Sequence, residues 1–120
     1  LYAVPIKSSI TGDNLQFANI AIAPGETKYA ETGTMAYMTV NVSMDAKLRG
    51  GLFRGLRRKR TGESFFLTHF GAEGDPGVVA FAGRVPGEIM ALALRGGKQF
   101  ILQKDSFLCA EDQVDFDIAF

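Results

Sequence analysis

The chain has no tryptophan, one cysteine and one histidine in 120 residues. Each scarcity removes a class of chemistry. A lone Cys109 cannot close an intrachain disulfide, so a reducing, intracellular setting is expected, cytoplasmic or inside an organelle. His69 and Cys109 alone cannot build the usual zinc site, which needs several converging thiolate or imidazole ligands. Asp112, Asp115 and Asp117 do not follow the spacing of a helical calcium loop and read as a solvated face. No apolar run approaches the roughly 20 residues that a membrane-spanning helix needs. No secretory leader pattern opens the chain, although it starts at Leu1 and we expect residues to have preceded it. Net charge is also missing: thirteen Lys and Arg balance thirteen Asp and Glu. Overall charge therefore selects no polyanionic partner.

The catalytic patterns fail for similar reasons. Gly62-Glu63-Ser64-Phe65-Phe66 begins like a nucleophile elbow, but Phe66 stands where the closing glycine belongs. Ser64 and His69 fall on opposite faces of one extended run. Cys109, between Leu108 and Ala110, reads as a small core residue. Lys59 and Thr61 are separated by Arg60, which breaks the phosphate-loop order. We expect no enzyme activity, no catalytic residue, no metal and no cofactor. Asn41-Val42-Ser43 has the form of a glycosylation acceptor, but it sits inside a strand-like run and is read as chance.

Hydrophobic residues make up 47%, with ten Phe and fourteen Gly. That composition suits a single all-β domain over 1–120 with many tight turns. Ala18, Ile20 and Ile22 alternate with their neighbours, and Pro24-Gly25 follows with the residues of a type II turn. The clearest strand is 36–44, where Ala36, Met38, Val40, Val42 and Met44 share one face. A strand over 64–70 carries large side chains on both faces, as a covered strand does. Further short strands are expected at 1–6, 78–82, 99–103, 106–110 and 114–120. Segment 89–94 is apolar throughout; its composition allows two helical turns, but its length favours a buried strand. Gly96-Gly97 is a hairpin signal. Strands spaced by Gly and Pro in this way mean a β-roll or sandwich of short antiparallel strands. Ile22-Ala23-Pro24-Gly25-Glu26 is echoed in Arg84-Val85-Pro86-Gly87-Glu88, which suggests repeated units.

Charge is unevenly placed. Seven of the thirteen basic residues lie between Lys47 and Arg60, and after Lys104 only acids follow. Arg54, Arg57, Arg58, Lys59 and Arg60 could hold phosphates through charge-assisted hydrogen bonds, on single-stranded RNA or an anionic lipid surface. The simpler reading of loop 47–60 is a solvated hairpin loop, or one that docks on the acidic tail of a neighbouring subunit.

Several blocks occur in a recognisable order. They are Pro24-Gly25-Glu26, Gly33-Thr34-Met35-Ala36, Gly50-Gly51 with the basic run into Gly62-Glu63-Ser64-Phe65-Phe66, Pro86-Gly87-Glu88-Ile89, and Asp105-Ser106-Phe107-Leu108-Cys109-Ala110. In these the chain resembles the altered-inheritance-of-mitochondria protein family. The resemblance implies an all-β roll of repeated units, like the tryptophan-operon RNA-binding attenuation protein and of the double-stranded β-helix type. It also implies a link to mitochondrial biogenesis in eukaryotes, and carries no catalytic residues. Family members are about twice this length, so the domain is expected to be incomplete after Phe120. An open strand edge there leads us to expect a homo-oligomer or larger assembly. The leading expectation is a non-enzymatic β scaffold that works by self-assembly or partner-protein binding. The alternative is an anionic-ligand module using loop 47–60.

Overall fold

In the computed structural model, which describes residues 8–31, 33–47 and 67–115, eight short strands are paired. They are β1 (Ser8–Thr11), β2 (Phe17–Ile22), β3 (Thr27–Glu31), β4 (Met35–Met38), β5 (Val42–Lys47), β6 (Leu67–Ala72), β7 (Gly77–Ala82) and β8 (Cys109–Glu111). One sheet has the order β1-β2-β7-β4 and the other β5-β6-β3-β8. All pairings between these strands are antiparallel. The domain is thus an all-β sandwich, as its punctuation by Gly and Pro implies.

Three extended runs build both sheets. Each of β2–β3, β4–β5 and β6–β7 passes from one sheet to the other through a sharp corner. The three corners lie side by side at one end. Pro24-Gly25 makes the first: Gly25 has φ +88° and the Glu26 amide donates to the Ala23 carbonyl at 3.0 Å, a type II turn. The Glu26 carboxylate also accepts from the Ala23 amide at 2.9 Å. Pro24 then pairs with Ala72 at the third corner. The second corner, 39–41, is pinned to the third by Asn41. Its Nδ2 donates to the Asp75 carbonyl at 2.7 Å, and the Glu73 amide donates to the Asn41 carbonyl at 3.0 Å. Thr39 Oγ1 accepts from the Val78 amide at 3.1 Å.

That corner corrects the reading of 36–44 as one strand. The run is extended, but it bends at 39–41 and serves two sheets. A bulge between Met35 and Tyr37 and the bend itself break the alternation. Met38 and Val42 still face inward, whereas Val40 is fully exposed at the corner. Other differences have plain causes. β1 and β3 carry too many polar residues to show an apolar period. Segments 89–94 and 99–103 are not paired in any strand, and of 106–110 only the last two residues join β8. Of the expected strand 114–120, residues 114–115 join no strand; residues 116–120, like the expected strand 1–6 and residues 64–66, lie outside the described residues.

The core lies between the sheets. Ile22, Val79 and Phe81 from one sheet meet Ala30, Val42, Phe70 and Ala72 from the other. The Phe70 and Phe81 rings pack edge to face with centroids 5.1 Å apart, an arrangement that adds about 1 kcal/mol beyond area burial. β6 is covered on both faces: Phe70 points into the core, and Leu67 is buried on the opposite side.

Gly77 sits where corner and core meet. A Cβ there would lie 2.6 Å from Val42 Cγ2 and 3.0 Å from Thr39 Oγ1. Gly77→Ala should therefore destabilise by about 1–3 kcal/mol through overpacking. Asn41→Ala, which strips donors from the exposed corner carbonyls, should cost about 0.5–1.5 kcal/mol. Urea unfolding of both variants checks this; a Gly77→Ala midpoint equal to wild type would contradict the close approach.

Candidate functional site

The two ends of the sandwich differ. One is stitched by the corners. The other is open and receives the β1–β2 connection, the end of β3, the end of β5, the start of β6 and the end of β7. Arg54, Arg57, Arg58, Lys59 and Arg60 lie outside the described residues. The roots of their loop do not: Lys47 and Leu67 are register partners on adjacent strands, so the chain leaves and re-enters the second sheet at the open end.

The acidic stretch runs the other way. β8 leads from Cys109 to Glu111 towards the corner end, on the far edge of the same sheet. Three strand spacings and three residues along the strands separate Lys47 from Glu111, roughly 17 Å. That exceeds the screening length of about 8 Å at physiological salt.

Between them lies an ion pair that the sequence does not announce. The Lys28 ammonium bonds the Glu111 carboxylate across the β3–β8 edge. The Lys28 side chain is 5% exposed and that of Glu111 37%. Lys28 faces inward beside Phe70, its partner on β6. Cys109 lies next to this pair and packs on the core. Burial, helped by the nearby Glu111 carboxylate and opposed by Lys28, pushes its thiol up to about 12. At neutral pH it stays protonated, which agrees with a packing role. His69, on the outer face of β6, stacks on the buried Tyr29 ring at 5.6 Å. Tyr29 in turn donates its hydroxyl to the Val114 carbonyl and anchors the segment after β8. Ser64 lies outside the described residues.

The other feature of the open end is an arm. After β7 the chain is tied to the β1–β2 connection: the Gly87 amide donates to the Asn14 carbonyl at 2.9 Å, and the Ile89 amide to Gln16 Oε1 at 2.6 Å. From Leu92 to Gln103 every residue is exposed. Met90 is 80% exposed and Ile101 87%, and Leu92, Leu94, Phe100 and Leu102 are also exposed. Gly96 and Gly97 have φ +64° and +77°, and the Lys98 amide donates to the Arg95 carbonyl at 3.2 Å. This is a tight turn at Gly96-Gly97, but its flanks form no ladder with each other and join neither sheet, so the hairpin its glycines imply does not form. Among the described residues no group of acids, His and Cys could hold a metal, and no helix is long and apolar enough to cross a membrane.

A model of the family described as "Mitochondrial biogenesis AIM24" matches residues 8–120. The chain belongs to that family. An uncharacterised protein of Streptococcus pyogenes serotype M6 is 35% identical over 112 residues, covering 86% of this chain and 44% of that protein. A crystal structure of a Streptococcus pyogenes protein superposes with a TM-score of 0.54 at 32% identity, over 71% of this chain and 41% of that one. The chain therefore spans less than half the length of the AIM24 relatives it matches. The family that the Gly-Gly, basic run, Gly-Glu-Ser block suggests is the one found. The AIM24 description carries a mitochondrial link, while these two relatives are bacterial.

Two outcomes test the Lys28, Glu111 and Cys109 cluster. The folded thiol binds its proton more tightly than the unfolded one, whose value is near 9.0. Its contribution is therefore full below pH 9 and is lost as pH rises towards 12. The stability difference between wild type and Cys109→Ala, followed by urea unfolding against pH, should be flat to pH 9 and shift against wild type above it. Glu111→Gln should cost about 2 kcal/mol by leaving Lys28 without its carboxylate. Lys28→Met should cost less, since it removes the buried charge as well.

Proposed function

We propose that this AIM24-family chain is a non-enzymatic β scaffold that works by assembling with itself or with a partner protein. The exposed apolar arm is the observation that carries this reading. Large apolar side chains gathered on one surface segment are unusual for a protein that acts alone and typical of an interface. The arm also has a preformed turn, which lowers the ordering cost of docking. No step of chemistry is assigned to Cys109 or His69, since the first is held protonated and the second is stacked on Tyr29. The proposed setting is intracellular, and mitochondrial where the host is eukaryotic.

A second reading has its own support. The chain leaves β5 and enters β6 at the open end, and Arg54, Arg57, Arg58, Lys59 and Arg60 of the segment between could meet an external anion. Single-stranded RNA and anionic lipid are the ligand classes that suit it.

Replacing Arg57, Arg58 and Arg60 by Ser separates the two. The scaffold reading expects wild-type mass well above 13.0 kDa by sedimentation, unchanged in the variant. Retention on heparin or anionic liposomes that disappears in the variant, with mass unchanged, would favour the anion reading. A wild type that sediments as a monomer at all concentrations and captures no protein partner would overturn the scaffold.

A further inference from the structure

We draw no further inference here: the strongest candidate, the outer face of the β1-β2-β7-β4 sheet, where the Phe17 and Tyr37 rings lie with centroids 6.4 Å apart and the Tyr37 hydroxyl donates to Asn19 Oδ1 at 2.7 Å, is an unpartnered sheet face, and nothing in the structure shows what covers it.

Discussion

The close approach of three corners is the constraint on which this domain depends. Gly77 lets the start of β7 lie against Val42 and Thr39, at a distance no Cβ tolerates. Asn41 fills the remaining need by donating to the carbonyls of the neighbouring corner. Buried or crowded backbone groups must find partners, and at a row of bends the ladder cannot supply them all. Side-chain donors and a missing Cβ do so here. Once the three runs bend along one line, the order of both sheets follows, because each strand carries its neighbours across the fold.

Bending the runs at one end leaves the other end for the long connections. The β5–β6 connection and the arm both leave from it, tethered by strands whose register is set by the core. The corner end stays short, and the open end carries the exposed apolar arm. Among the described residues, much of the exposed apolar surface lies on the arm at the open rim. This suits a protein whose proposed work is association, and it fits the protonated, core-packed state of Cys109.

The buried polar groups follow the same economy of partners. Lys28 is taken into the interior only where Glu111 crosses from β8 to meet it. Tyr29, wholly buried on the opposite face, is stacked on His69 and bonded to the Val114 carbonyl. Thr34 is buried with its hydroxyl donated to the Glu31 carbonyl at 2.8 Å. The Lys28 and Tyr29 contacts fasten the short edge strand β8 and the segment after it, which three residues of ladder alone would hold weakly.

Period and punctuation are local properties, and they were readable along the chain. Ala18, Ile20 and Ile22 face inward on β2 as their alternation requires, Pro24-Gly25 makes its type II turn, and β6 and β7 stand where apolar runs fall between turn residues. The all-β class and the family blocks belong to the same level. Partnership is not local. Nothing in 36–44 marks the bend at 39–41, because the bend is held by carbonyls more than thirty residues away. Lys28 reads as a surface residue until β8 brings Glu111 beside it. Segment 89–94 has a strand's composition, yet a strand exists only when another backbone pairs with it, and among the described residues none does. Residue types therefore determined which segments extend and which face each one hides. Only the tertiary arrangement decided which extended segments meet, because pairing is a relation between distant backbones.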